Sequence, residues 1–528
     1  MEISKPSKSF PNISAEAIHS PVKSPEPPSS ITNDPEKGIV VAPTLSCRAH
    51  SPSLNPILTI ISSFALTLST WGFYNSTGIL LSHLSVHLLP NTPLPILSLI
   101  PALNILFTLL LFFPLGPIYD TYGPLPLLIP GSLIYIFSLL LLSICSSLFH
   151  FLLVYGALSA IGMALLCTVA NAMLNTFEGT GYRGLATGIA LVGNPTGGII
   201  FTFVFQAVLE SLEWGDAMRI VAGSVGVLIA VGFLAFLPFE GMRKGGTRSE
   251  YGHRGQDGDY DASTASTNTR NEAPWWKFWH EKKVEGDWSL LRDRRFLWCM
   301  AGISLFEFVL VGAIGLLPTY ALQQGFSTSV SFNVVAIINA GSILGRLLSG
   351  PLSDHLGPYN TVLLCLIFIS LLANFAFFLP TSLLSHSSSS TSLIFFYLYA
   401  SLSGLGSGAV MSAAPLCIAA LCPSHVYARW WGASQVGVAI AYVSPFLFRN
   451  FPSLQYPSHL DSREQSQILT LSQHRCFLSV PLASIILSRV APSLFISFFG
   501  FVIFLSGLAF ALARWEVLGR GWMWKIRV

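Results

Sequence analysis

The sequence predicts an all-α polytopic membrane protein with twelve transmembrane helices in two six-helix bundles. Three observations predict it: the scarcity of charge, the spacing of long apolar runs, and a short motif that occurs once in each half. Of 528 residues, 52% are hydrophobic and only 10% charged, against roughly 25% charged in average soluble chains. The charges are kept out of runs long enough to cross a bilayer core, which takes about 20 apolar residues in a helix. This composition excludes a set of soluble domains and gives no support to nucleic-acid binding. The net charge of +3 matters less than where the charges sit.

Residues 1–53 are rich in Ser, Pro and Lys and hold no apolar stretch, so they read as a disordered cytoplasmic N-terminal tail, with insertion led by the first membrane helix. Apolar runs then place helices near 56–82, 94–116, 125–146, 149–175, 184–209 and 217–238, an N-terminal six-helix bundle over 54–238. Residues 239–295 have no run that can span and form a charged linker. A second set follows near 296–322, 328–351, 359–380, 391–420, 426–448 and 492–513, giving a C-terminal bundle over 296–514 and a tail over 515–528.

Orientation follows from Lys and Arg in the connections. Eleven of them lie between Arg243 and Arg295 in the linker, which is therefore cytoplasmic. Six helices on each side then put both termini in the cytoplasm, in agreement with Lys5, Lys8, Lys23, Lys37 and Arg48 before the first helix and Arg514, Arg520, Lys525 and Arg527 after the last. The connections near 83–93, 147–148, 323–327 and 381–390 contain no Lys or Arg. The exception is 449–491, which carries Arg449, Arg463, Arg475 and Arg489 with an apolar piece too short to cross; it reads either as an irregular external loop at the membrane surface or as sequence that does not belong to the mature product.

The eight cysteines, Cys47, Cys145, Cys167, Cys299, Cys365, Cys417, Cys422 and Cys476, lie mostly inside apolar runs at no metal-ligand or disulfide spacing, and read as packing residues. No metal site or cofactor motif is present, and no Walker sequence supports direct use of ATP. A deep His cluster or a nucleophile-and-base set is also missing, which disfavours an enzyme.

The repeated motif is Gly116-Pro117-Ile118-Tyr119-Asp120-Thr121-Tyr122-Gly123-Pro124 in the first half and Gly350-Pro351-Leu352-Ser353-Asp354-His355-Leu356-Gly357-Pro358 in the second. Both copies fall between the second and third helix of their set, as parallel repeats require. Gly permits unusual backbone angles, Pro stops a helix, and Asp can accept the orphan N–H groups of a neighbouring helix end. Asp120 and Asp354 read as turn residues or, because they recur in register, as a conformational latch.

On these residues the chain resembles the major facilitator superfamily, whose loop signature places Asp and Gly as Asp120 and Gly123, and Asp354 and Gly357, stand here. The family's basic positions hold Thr121, Pro124, His355 and Pro358, so a charge-paired latch takes its partners from elsewhere, with Arg183 and Arg429 as candidates. Within the superfamily the likeness is to the fungal branch of the monocarboxylate-transporter family. It is carried by Tyr74-Asn75-Ser76-Thr77-Gly78, by Gly116 to Gly131 and by Arg183-Gly184-Leu185-Ala186-Thr187-Gly188-Ile189-Ala190. Ala217-Met218-Arg219, Leu317-Pro318-Thr319-Tyr320-Ala321 and Gly345-Arg346-Leu347-Leu348-Ser349-Gly350 extend it. The resemblance implies the major facilitator fold and transport by alternating access. It also implies that Arg346 binds a substrate carboxylate, although the Asp found one turn earlier in that family is Ser342 here.

Ionisable groups inside the hydrocarbon are costly and mark functional candidates. Glu307 lies about 17 Å along the seventh helix from Phe296, and Arg346 about 12 Å along the eighth from Asp354, at 1.5 Å per residue. These depths allow contact, so Arg346 is read either as an anion site or as half of a structural pair with Glu307 or with helix-end carbonyls. Asn75, Asn104, Asn171, Asn175, Asn194, Asn339 and Gln435 are neutral polar residues in the spans, read as lining the pathway or as interhelical hydrogen bonds. Trp71 and Tyr74 are read as packing between helices. Gly188, Gly193-Asn194-Pro195 and Gly197-Gly198 in the fifth helix resemble the glycine-rich signature of proton-coupled drug antiporters, and close packing alone also accounts for them.

The leading functional reading is a secondary transporter of a small organic solute, a monocarboxylate with a proton, working as a symporter. A proton-coupled exporter of drugs or other solutes is the alternative within transport, and a non-transporting nutrient sensor the alternative outside it. The partners implied are a small-molecule substrate, a proton and the lipid bilayer, with the chain a monomer and the plasma membrane favoured over the vacuole or another organelle.

Overall fold

The computed structural model describes residues 56–252 apart from 93 and 98, then 288–310, 317, 320–321, 326–379, 389–443 and 492–519. Every regular element among them is helical. The proposed N-terminal tail, most of the linker, the 449–491 segment and residues 520–528 lie outside the described residues.

The first set of helices is α1 (Pro56–Leu88), α2 (Leu99–Tyr122), α3 (Leu125–Leu142), α4 (Leu148–Phe177) and α5 (Arg183–Ser211), followed by α6 (Trp214–Gly252). The second set is α7 (Arg294–Val309), α8 (Thr328–Leu356) and α9, which starts at Pro358–Leu364 and continues in wider π turns at Cys365–Leu371 and Ala373–Phe378. It ends with α10 (Ser389–Ala419), α11 (Tyr427–Val443) and α12 (Pro492–Val517). Nine helical stretches among the described residues are long and apolar enough to cross a membrane. α6 runs on past 238 to Gly252, so helix continues into the segment read from composition as linker.

Leu, Ile, Val and Phe dominate these helices on all sides, as lipid contact demands, and large side chains such as Leu133, Phe203 and Val227 point outward. Without a hydrophobic force between helices in lipid, close packing depends on small residues. α8 and α10 show the rule. A Cβ at Gly341 would sit 2.8 Å from the Ser401 carbonyl oxygen, one at Gly345 would overlap that of Leu405, and ones at Gly404 and Gly408 would overlap those of Ile338 and Ser342. α1 crosses α5 the same way, where a Cβ at Gly197 would lie 2.6 Å from the Gly72 Cα.

Hydroxyls in the spans return their protons to their own helices, as Thr67 does to Ser63 O at 2.7 Å and Thr168 to Ala164 O at 2.8 Å. A smaller group ties helices together. Ser62 donates to Gly232 O, Ser63 to Ala170 O, Asn374 to Ile496 O and Ser506 to Gly302 O, all within 2.9 Å. The six described cysteines are buried and free.

The repeated motif takes the same shape twice. Gly123 and Gly357 adopt φ of 85° and 89°, a region only glycine enters without strain, and each closes its helix by donating to the carbonyl four residues back, Tyr119 at 2.8 Å and Ser353 at 3.0 Å. Pro124 then stands at the N-cap of α3 and Pro358 begins α9, where a missing N–H costs nothing.

Candidate functional site

The two sets of helices meet along α2–α11 and α5–α8, and the first glycine of each motif copy permits both crossings. A Cβ at Gly116 would overlap the Ala428 carbonyl oxygen, and one at Gly350 would lie 2.7 Å from that of Gly184. These contacts bring each motif aspartate to the N-terminus of a helix in the other set. Asp120 accepts the N–H of Ala428 at 3.2 Å and of Arg429 at 2.9 Å. Asp354 accepts the N–H of Gly184 at 2.6 Å and of Leu185 at 2.9 Å. A carboxylate at that position satisfies orphan donors and meets the positive end of the helix dipole.

The arginines named as latch partners stand on the right helices but play lesser parts. Arg429 Nε lies 3.8 Å from Asp120, an ion pair without a hydrogen bond, at a carboxylate only 4% exposed. The guanidinium of Arg183 sits over the Tyr427 ring, 5.9 Å from its centroid, and no ion pair joins it to Asp354 among the described residues. Asn175 adds a further tie on this side, donating to Ser424 O at 3.0 Å. Phe296, at the start of α7, meets Trp430 edge-on at 5.2 Å, so this is the side from which the linker leaves.

Above this closed layer a cavity of about 230 Å³ lies between the sets, lined from α1, α2, α4 and α5 on one side and from α7, α8, α10 and α11 on the other. It gathers Glu307, Arg346, Asn75, Asn171, Asn194, Asn339 and Gln435. Asn104 is not among them: it donates to Tyr155 O at 2.8 Å and Ser159 Oγ at 2.7 Å, tying α2 to α4. A larger groove of about 690 Å³ lies elsewhere, between α7 and α12 near Arg294, Trp298 and Trp515, and none of the candidate site residues borders it.

Arg346 is 5% exposed. One guanidinium N–H donates to Leu191 O in α5 at 3.2 Å, and Nε lies 3.5 Å from Ser342 Oγ. Glu307 instead accepts from the Tyr442 hydroxyl at 2.9 Å, and no Glu307–Arg346 ion pair within 4.0 Å occurs among the described residues. Of the alternatives weighed for Arg346, this geometry has the carbonyl contact and not the direct pair. Asn75 donates to the side chain of Asn194, so α1 and α5 share a polar contact at the cavity wall. Asn171 borders the cavity and donates back to Cys167 O at 2.9 Å.

Trp71 and Tyr74 do more than pack between helices. They meet edge-on at 6.1 Å and both border the cavity, next to a π turn over Leu68–Gly72, a distortion frequent at functional sites. Sequence reasoning missed Trp431 and Tyr442, and noted Ser342 only as standing where the family the chain resembles has Asp. The signal for the first two is their spacing with Gln435 along one face of α11, since residues four and seven apart share a face. The result is a small chamber with one fixed cation, one carboxylate, amides and aromatic walls.

The family model of the Major Facilitator Superfamily matches residues 59–445. The chain is similar to the MFS-type transporter pynF of Aspergillus niger, 27% identical over 401 residues that cover 75% of this chain and 79% of that protein. It is also similar to the agnestins efflux protein AgnL12 of Paecilomyces divaricatus, 24% identical over 74% of this chain and 77% of that one, and to the fujikurins efflux protein of Gibberella fujikuroi, 28% identical over 57% and 58%. Among solved structures, the proton:xylose symporter XylE matches with a TM-score of 0.55, covering 88% of this chain and 95% of that one at 12% identity, a likeness of fold.

Proposed function

Because the chain belongs to the Major Facilitator Superfamily, we propose that it is a secondary carrier that exports a small organic solute through the cavity between its two sets of helices by alternating access. The observation that carries the reading is the chamber's content. Arg346 and Asn339 offer donors to a solute's oxygen atoms, while Trp71, Tyr74, Trp431 and Phe112 offer flat apolar walls. An acceptor-bearing organic molecule with a planar apolar part fits that pairing. Two relatives, the agnestins and fujikurins efflux proteins, support the outward direction. The same reading places the carrier in the plasma membrane as a monomer, with Glu307 the candidate proton site.

A second reading, transport of a monocarboxylate with a proton, is favoured by Arg346. Its charge is permanent and its planar fork suits a carboxylate, and only Leu191 and Ser342 accept from it among the described residues. The test is flux by purified protein in liposomes, with radiolabelled lactate, benzoate and neutral phenol, each with and without a pH gradient. Gradient-driven flux of either acid supports the second reading, and phenol export by the same gradient supports the first. Binding of any of them without flux replaces both with a sensor.

A further inference from the structure

The α5 helix is interrupted at one carbonyl. Proline has no N–H, so the residue four places before it in a helix loses its usual donor. Pro195 therefore leaves Leu191 O without the donor that the residue four places on would supply. The chain adjusts locally: Val192 N–H reaches Gly188 O at 3.3 Å and Ile189 O at 3.2 Å, and the ladder resumes with Thr196 N–H to Val192 O at 3.2 Å. An unpaired carbonyl in the membrane interior is costly, and the donor that fills the gap comes from the other set of helices: Arg346, at 3.2 Å.

Backbone contact makes this reach possible. A Cβ at Gly188 would lie 2.5 Å from the Arg346 carbonyl oxygen, so α5 and α8 touch one turn from the exposed carbonyl. The guanidinium is thus gripped at one N–H by α5 and lies near Ser342 of its own helix, while the side chain borders the cavity. A flexible arginine held at one prong presents its remaining N–H groups in a set direction, which reduces the ordering a solute must impose on binding.

We infer that Pro195 is a positioning residue: by exposing the Leu191 carbonyl it anchors Arg346 so that the free part of the fork faces the solute. The inference rests on the reading of Arg346 as a solute-binding residue. Ser342 serves as a weaker second anchor, since its 3.5 Å separation is at the edge of hydrogen bonding.

Pro195→Ala restores an N–H at the position that donates to Leu191 O and so competes with Arg346. In liposomes loaded for radiolabelled benzoate flux, Pro195→Ala should raise KM by about tenfold while maximal flux changes by less than about twofold, within the range of coupling measured between neighbouring residues. In an Arg346→Gln background the same change should leave KM where Arg346→Gln alone puts it. Pro195→Ser restores the same N–H and should act alike, which covers the case of a poorly folding alanine variant. Equal effects in both backgrounds, or a loss of maximal flux at constant KM, overturn the inference and leave Pro195 as a shaping residue of α5. Absence of benzoate flux in the wild type, or an unchanged KM in Arg346→Gln, overturns the solute-binding reading of Arg346 itself and this inference with it.

Discussion

Replacing Asp120 with asparagine tests how the linker side is held shut. Asp120 accepts two backbone N–H groups of α11, at 3.2 and 2.9 Å, with Arg429 Nε at 3.8 Å and the carboxylate only 4% exposed. Asparagine keeps one acceptor oxygen and turns an NH₂ group toward the other donor, so one charge-assisted hydrogen bond is lost. That bond is worth about 1.5–3 kcal/mol, and the lost attraction between the charge and the helix end about 0.3–1 kcal/mol. Some of it returns as water reaches the freed N–H, so the closed state should weaken by about 2 kcal/mol, roughly 30-fold in the closed-to-open ratio. The assay is the modification rate of Thr187→Cys, a site buried against the seam on this side, in a background without other cysteines. Asp120→Asn should speed modification by a thiol reagent applied from the linker side, and Asp354→Asn should do the same through α5. An unchanged or slower rate in both variants would refute the capping argument.

Other expectations are more local. Gly408→Val should abolish a monodisperse elution peak, because a Cβ there overlaps the Ser342 carbonyl oxygen, whereas Gly223→Ala, with nothing within 4 Å, should elute as wild type does. Asn104→Ala removes two ties between α2 and α4 and should cost about 1 kcal/mol at the roughly 0.6 kcal/mol typical of a bond in a membrane bundle. Thermal melting reads that loss, and the solute KM should not move. Asp293 caps α7, accepting from Arg295 N–H at 2.9 Å. Hydrogen bonding from the Arg295 side chain holds its pKa below the ordinary carboxylate value. A depressed carboxylate contributes stability that is full above about pH 4 and is lost as pH falls through the folded pKa. The melting difference between wild type and Asp293→Ala should therefore hold steady down to about pH 5 and close below about pH 4.

The fold was legible because its signal is long: runs of about 20 apolar residues survive errors of several residues at each end. The Gly-Pro-Asp-Gly repeat was legible in its chemistry as well, down to an aspartate receiving the N–H groups of a helix end. What sequence could not resolve was which atoms answer. Arg183 and Arg429 mark the correct helices, yet the donors are backbone amides, those of Gly184, Leu185, Ala428 and Arg429 itself, and not the guanidinium groups. Depth along a helix placed Glu307 and Arg346 in one chamber, but depth carries no azimuth. Glu307 turns to Tyr442 and Arg346 to Leu191, and those directions depend on how the helices cross. The same limit separates Asn104 from Asn171. Both are amides on helices that are apolar on most sides, where hydrophobic periodicity does not report which face looks inward. Tyr442 and Trp431 passed unnoticed because aromatic residues in a membrane helix usually signify packing alone.

The measurement that bears most directly on the account is solute flux through a protein in which Arg346 keeps its charge and loses its fork. Arg346→Lys places an ammonium at the cavity but cannot hold Leu191 O and a solute acceptor in the same planar geometry. Arg346→Lys and Arg346→Gln should both elute and melt like the wild type, with the solute KM raised and most of the liposome flux at low solute concentration gone. Wild-type flux of the same solute through well-folded Arg346→Gln protein would contradict the claim that the chamber around Arg346 is where the solute binds.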